Sequence, residues 1–275
     1  MNFYKYQGLG NDFICINGFE PLPDLKRSAR QLCDRHKGIG ADGILILKMS
    51  QRADCSMEVI NADGSSSTMC GNGLRCLAIF AKKLEIINKS SFSIETHKRI
   101  NQVEILDENN PALVSVDLGE PDFDPRKISQ INQSEFIFQD FKINNQTYKA
   151  SLLSFGNPHL VLLVDNLKSL NLQELGPSLE ADPRFLTGIN VEFIELASDK
   201  LIKQRTWERG VGETQACGSG ACAAAVSLIK AGLVKNPVEV ELLGGRLKID
   251  YQRSVKKIGA AQAVYSGSVD IADFN

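Results

Sequence analysis

Short stretches of alternating apolar and polar residues fill most of the chain. Those at 3–6, 13–16, 44–47, 57–60, 92–96 and 113–118 read as strands of the first half. Those at 148–153, 160–164, 191–196, 201–207, 238–242 and 247–251 read as strands of the second. Helical spacing is rarer. Residues 24–35 carry Leu25, Ala29 and Leu32 on one face, with Asp24 after Pro23 as a start signal. Residues 171–180 repeat the pattern with Leu172, Leu175 and Leu179. Two further helices are expected over 70–84 and 217–231, apolar on nearly every side: Leu77 to Ala81 in one, Ala221 to Val226 in the other. A helix that is hydrophobic all round belongs inside a core. Strands and helices do not alternate regularly enough for a doubly wound parallel sheet, so the expected class is α+β. Residues 119–147, with Pro121, Pro125 and several Asn and Gln, are expected to hold a crossover rather than core elements.

The pattern occurs twice. Met69-Cys70-Gly71-Asn72-Gly73 returns as Ala216-Cys217-Gly218-Ser219-Gly220, an offset of 147 positions. The same offset takes Asn61 to Glu208 and Gly43 to Asn190, and one position less takes Gly10-Asn11 to Gly156-Asn157. Two copies rule out a solenoid or propeller. They predict two pseudo-symmetric lobes, 1–118 and 119–263, each a mostly antiparallel sheet wrapped around a central hydrophobic helix. One thiol per half, each at a Gly-rich helix start, points to a site shared by the halves with a cysteine on each side.

Composition narrows the function classes. With 275 residues, 43% of them hydrophobic and 23% charged, the chain can bury a sizeable core. A formal net charge of −2 argues against nucleic-acid or anionic-membrane partners, which select basic surfaces. The N-terminus lacks an apolar signal region, and the apolar run 221–229 falls far short of the roughly 20 residues a membrane span needs. A cytoplasmic protein is expected. Seven cysteines, an odd number without a CxxC, fit reduced thiols rather than a disulfide framework. His36, His97 and His159 show no metal-ligand spacing, so no metal site is expected.

Cys70 and Cys217 are the chemically interesting thiols. At a helix start the first N–H groups are open and the dipole favours an anion, so a carboxylate can dock at Gly71-Asn72 and at Gly218-Ser219. The same field lowers a thiol pKa from about 8.5 toward roughly 3.5–7.5. A single such cysteine is more often a small core residue; equivalent cysteines in both repeats favour chemistry instead. Cys15, Cys33, Cys55, Cys76 and Cys222 lie in apolar segments and are read as core. A phosphate-binding reading is weak, because the Lys-Ser/Thr of a P-loop and the GxGxxG dinucleotide spacing are both missing.

Seven motifs, in order, carry a resemblance that runs from residue 3 to about 270. They are Gly10-Asn11-Asp12-Phe13; Gly38-Ile39-Gly40-Ala41-Asp42-Gly43; Asn61-Ala62-Asp63-Gly64-Ser65; Met69 through Cys76; Gly156-Asn157-Pro158-His159; Glu208-Arg209-Gly210; and Ala216 through Gly220. Together they resemble the diaminopimelate epimerases. The resemblance implies a two-base reaction, free of metal and of pyridoxal phosphate, that interconverts LL- and meso-diaminopimelate for lysine and peptidoglycan synthesis. It implies Cys70 and Cys217 as the acid/base pair, with His159 and Glu208 as accessory polar groups near the reacting centre. Asn11, Asn61, Asn157, Asn190 and Arg209 resemble the groups that hold the substrate's ammonium and carboxylate ends, Arg209 being suited to the distal carboxylate. No cofactor is implied. The resemblance further implies a homodimer and a last strand, within 264–275, returning to the first lobe. Gly43 departs from some members, which place Gln there, and leaves that side without a polar group. Two rival readings stand beside this one: a proline racemase or hydroxyproline epimerase, which also uses two cysteines, and a non-catalytic amino-acid-binding or thiol-sensing protein.

Overall fold

In the computed structural model the chain divides into two compact units, Met1–Asp117 with Ile258–Asn275, and Leu118–Lys257. The structure describes all residues except 68, 69, 98, 145 and 275 and the side chain of Asp273, so Met69 of the first cysteine motif lies outside the described residues. The division falls inside a strand, where the sequence placed the return to the first unit at residue 264.

The first unit contains β1 (Asn2–Gly8), β2 (Asn11–Asn17), α1 (Leu25–Leu32), β3 (Gly43–Lys48), β4 (Cys55–Asn61), β5 (Ser66–Ser67), α2 (Gly71–Lys83), β6 (Ser91–Glu95), β7 (Ile100–Asp107) and β8 (Ala112–Asp117). The second contains β9 (Phe136–Ile143), β10 (Gln146–Ser154), β11 (Pro158–Leu163), α3 (Leu172–Glu180), β12 (Asn190–Ser198), β13 (Leu201–Glu208), β14 (Gly212–Thr214), α4 (Gly218–Lys230), β15 (Val238–Leu242) and β16 (Gly245–Tyr251). The last strand, β17 (Val255–Ser268), begins in the second unit and ends in the first.

In the first unit β1 pairs antiparallel with β2, β2 parallel with β3, β3 antiparallel with β4, β4 parallel with β6, and β6–β7–β8 antiparallel. Pairing of β17 with both β8 and β1 closes these strands into a ring. Helix α2 packs against β1, β2, β3, β7 and β8. In the second unit β9–β10–β11 are antiparallel, β11–β12 parallel, β12–β13 antiparallel, β13–β15 parallel and β15–β16 antiparallel. These strands surround α4, which touches β9 through β13, β15 and β16. The order of orientations is the same in both units. So is the register: Phe13 sits opposite Gly43 and His159 opposite Asn190.

Sequence chemistry accounts for these elements. Strands β3 (GILILK) and β11 (PHLVLL) are nearly continuous apolar runs because each is covered on both faces. Strand β7 alternates strictly, with Asn101, Val103 and Ile105 inward. Helix α1 buries Leu25, Ser28, Ala29 and Leu32, and Asp24 caps it by accepting from the N–H groups of Lys26 and Arg27. Helix α4 buries every residue from Gly220 to Leu228, and its small side chains allow sheet on all sides.

The main difference from expectation lies in 119–147. Instead of a crossover alone, this stretch contains β9, whose Phe136, Phe141 and Ile143 join the core of the second unit. Gln139, Asp140 and Lys142 between them hid its apolar alternation. Strand β7 was likewise not expected, although its alternation is clear in the sequence. None of the described helices is long and apolar enough to cross a membrane.

Candidate functional site

Each unit presents its cysteine in the same way. Cys70 and Cys217 are the N-caps of α2 and α4, with extended backbones at φ −141° and −98°. In each case the sulfur accepts the N–H of the glycine three residues on, Gly73 at 3.2 Å and Gly220 at 3.3 Å. The thiol thus does the work of a capping serine, which fixes its position and satisfies one N–H group of the helix start. The earlier N–H groups, at Gly71-Asn72 and Gly218-Ser219, have no acceptor one turn back in a helix and are suited to an anion. Gly10 and Gly156 adopt φ of 80° and 92°, the left-handed turn that brings the following asparagine to the start of a strand or its approach.

In the second unit Cys217 is only 4% exposed. Its sulfur lies 3.6 Å from Ser219 Oγ, which in turn accepts from Asn157 Nδ2 at 3.2 Å. His159 and Glu192 are both fully buried, with Nδ1 and Oε1 2.9 Å apart. Glu208, at the end of β13, is half-buried and accepts from Thr214 Oγ1 at 2.6 Å. Burial raises the Glu208 carboxyl above its ordinary pKa; the bond from Thr214 opposes this, and the neighbouring charge of Glu192 adds to it. Burial, then Glu208 and Glu192, push the Cys217 thiol well above its usual value, against weaker opposition from Ser219 and the Gly220 N–H. This corrects the expectation that a helix start would lower the pKa here. Burial comes first and the two neighbouring carboxylates second, and both disfavour the thiolate.

In the first unit an ion network supports the thiol. Asp12 takes two bonds from Arg35, at 3.0 and 2.7 Å, and pairs with Lys5 at 2.6 Å. Asp42 accepts from Arg35 at 2.8 Å and from Asn11 Nδ2 at 2.7 Å. With its amide nitrogen held, Asn11 turns Oδ1 toward Asn72 Nδ2 at 3.4 Å and toward Cys70 Sγ at 4.0 Å. Asn11–Asn72 is therefore the counterpart of Asn157–Ser219. Each pair joins the asparagine after a turn glycine to the second residue of the cysteine-capped helix.

The remaining candidates are less close to the thiols by their bonds. Asn61 Nδ2 donates to Ser65 Oγ at 2.8 Å, within its own turn. Asn190 has both ends of its amide committed: Nδ2 donates to Pro158 O at 2.8 Å, and Oδ1 accepts the Arg209 N–H at 3.0 Å. The exposed Arg209 guanidinium donates to the carbonyl and hydroxyl of Thr187. Gly43 is explained by packing, because a Cβ there would lie 2.7 Å from the Ile60 carbonyl oxygen. Sequence reasoning missed Glu192, Asp42, Arg35 and Thr214. Glu192 carried no signal in the sequence, where it alternates with Val191 and Phe193 as a solvent-facing residue would; its burial shows only in the structure. Among the described residues no group of three or more His, Cys, Asp or Glu could hold a metal ion.

Comparison with known proteins follows the same outline. The chain matches the family model described as diaminopimelate epimerase over residues 3–123 and 151–271, two blocks that leave out the segment between the repeats. It is 40% identical to a diaminopimelate epimerase of Halothermothrix orenii, covering 99% of both chains. It is 39% identical to one of Acetivibrio thermocellus, covering 98% of this chain and 99% of the other. Among solved structures, a phenazine biosynthesis protein of Bacillus anthracis superposes with a TM-score of 0.70 at 18% identity, covering 98% of this chain and 99% of that one. That likeness shows the fold alone.

Proposed function

Because this chain belongs to the diaminopimelate epimerase family, we propose that its two cysteine-capped helices supply the two proton-transfer groups of the reaction. The activity is the interconversion of LL- and meso-diaminopimelate, without pyridoxal phosphate, in lysine and peptidoglycan precursor synthesis. Inverting an α-carbon requires a proton to leave one face and another to arrive on the opposite face. A single base would have to cross the substrate, whereas two groups need only move a proton each. One sulfur, as thiolate, takes the α-proton; the other, as thiol, gives its proton to the opposite face. The two then hold exchanged protonation states, and the reverse reaction uses the same steps.

The observation that carries this reading is the duplicated device itself: a cysteine N-cap whose sulfur accepts from the glycine three residues on, in both units. The N–H groups of Gly71-Asn72 and Gly218-Ser219 would receive the carboxylate next to the reacting carbon, where negative charge builds up in the transition state. Asn11, Asn61 and Asn157 would orient that end of the substrate, and Glu208 would accept from its ammonium. Arg209 would form a forked bond to the distal carboxylate, with Asn190 positioning it through the backbone N–H. His159 and Glu208 complete the polar surroundings of Cys217. A proline racemase reading has no use for a distal carboxylate clamp. Reduced thiols suit the cytoplasm, and likeness to the family supports a homodimer.

The test is solvent-deuterium incorporation at the α-carbon. LL- and meso-diaminopimelate should each acquire deuterium while proline does not. Exchange into proline without exchange into diaminopimelate would overturn the reading.

A further inference from the structure

The two repeats diverge sharply beneath their cysteine-capped helices. At the offset of 147, Glu192 corresponds to Leu45; at 146, His159 corresponds to Phe13. Packing shows that the correspondence is spatial as well. A Cβ added to Gly73 would meet Leu45 Cδ2 at 3.0 Å, and one added to Gly220 would meet Glu192 Oε1 at 2.4 Å. A carboxylate therefore lies under α4 where a leucine methyl lies under α2. The first unit shows that this position is filled satisfactorily by an apolar side chain. Burying an acid there is costly unless it is paired. Among the described residues the hydrogen-bond partner of Glu192 is His159, and both side chains are fully buried. Glu192 Oε2 and His159 Nε2 have no hydrogen-bond partner among the described residues. A costly, half-satisfied pair in place of a leucine and a phenylalanine indicates function rather than packing.

We propose that Glu192 is a positioning residue of the second unit: by accepting from Nδ1 it fixes the orientation of the His159 ring and the place of its Nδ1 proton, and its carboxylate beneath α4 keeps Cys217 as the thiol, the proton donor of the resting enzyme. The inference rests on the acid/base role given to Cys217 above. A hydrogen bond at one ring nitrogen decides which nitrogen carries the proton, and a nearby like charge disfavours a thiolate. The groups around Cys217 are Glu192 from β12, Glu208 from β13, His159 from β11, and Ser219 with the Gly220 N–H from its own helix. Lys257 from β17 lies against Gly218 and supplies a nearby cation. The thiol's raised pKa agrees with the two carboxylates prevailing. In the first unit Leu45 and Phe13 exert no such influence, so the two thiols are not interchangeable.

Two measurements on the substrate-free enzyme test this. The wild-type chain has only three histidines, so a long-range proton–nitrogen spectrum resolves His159 against His36 and His97. The expected signature is a ring that carries a proton on Nδ1; a ring protonated on Nε2 alone overturns the proposal. The second measurement is the pH dependence of alkylation at Cys217, followed by peptide mapping in wild type and Glu192→Gln. Loss of the charge should lower the Cys217 midpoint by roughly one pH unit and leave that of Cys70 in place. An unchanged or higher midpoint overturns it. The spectrum needs no variant, so a poorly folding Glu192→Gln does not remove the test. Neither readout depends on turnover: failure here with deuterium incorporation intact rejects the role of Glu192 and leaves the function standing.

Discussion

The third residue of each cysteine-capped helix is glycine, and replacing the two by alanine should have unequal consequences for stability. Inside a helix, Gly→Ala gains up to about 1 kcal/mol from backbone entropy. At Gly73 the new methyl would meet Leu45 Cδ2 at 3.0 Å, Cys70 Sγ at 3.1 Å and Cys70 Cβ at 3.3 Å, mild crowding that a shift of a few tenths of an ångström relieves. Gain and crowding should nearly cancel, leaving the Gly73→Ala variant within about 1 kcal/mol of wild type. At Gly220 the methyl would lie 2.4 Å from Glu192 Oε1 and 2.9 Å from its carboxyl carbon. Restoring ordinary contact requires the carboxylate to move by roughly 1 Å. That displacement would stretch its 2.9 Å bond to His159 beyond hydrogen-bonding range. Leaving a buried carboxylate without its hydrogen-bond donor costs about 3 kcal/mol, so the net loss for Gly220→Ala should be about 2 kcal/mol after the helix gain. Urea denaturation of the two variants beside wild type measures this directly. Equal midpoints for the two, or a lower one for Gly73→Ala, would refute the claim that a fixed carboxylate occupies the space under α4.

Removing either thiol should stop the reaction. Cys70→Ala and Cys217→Ala are each expected to lose about 10³-fold in kcat/KM, within the range for general acid–base groups, and near-normal turnover by either would rule out the two-base scheme. The Asp12 network should show itself in acid. Burial alone would raise the Asp12 carboxyl, but bonds from Arg35 and Lys5 bring it down to about 2. A depressed folded-state value stabilises the protein above the unfolded value near 4, and that contribution is lost as pH falls from about 4 to about 2. Asp12→Asn should cost about 3 kcal/mol at neutral pH by leaving buried Lys5 without its counter-charge, and its stability should decline less steeply over that acid window. Thermal melts at each pH follow this, and a parallel decline in both proteins would argue against the network.

The sequence revealed what both repeats share and hid what only one of them has. Glycines and cysteines at constant offsets are legible because turns and caps restrict residue type: Gly10 and Gly156 need positive φ, and Cys70 and Cys217 each close a helix start. The two central helices were legible for a related reason, since an all-apolar helix among short strands has to be enclosed. Strand β9 was not, because one half of its pattern is polar and its neighbours Pro121 and Pro125 suggested a loop. In the ion network Asp12 lies 23 positions from Arg35 and 30 from Asp42, and the β2–β3 pairing brings Asp12 to Asp42.

Glu192 marks the limit of reading by similarity between halves. Aligning the repeats draws attention to Asn61 against Glu208 and Gly43 against Asn190, the positions next to conspicuous motifs. A leucine-to-glutamate change within an apolar strand looks like ordinary drift onto a solvent face. It acquires meaning only when the strand proves to be buried on both sides and the glutamate proves to sit beneath a catalytic candidate with a buried histidine as its partner. A chemically symmetric pair of thiols would have to distribute one proton between equal sites. Placing fixed negative charge under one of them gives that proton a preferred home before substrate arrives. In this chain the duplication provides two thiols, and the leucine-to-glutamate divergence assigns their resting states.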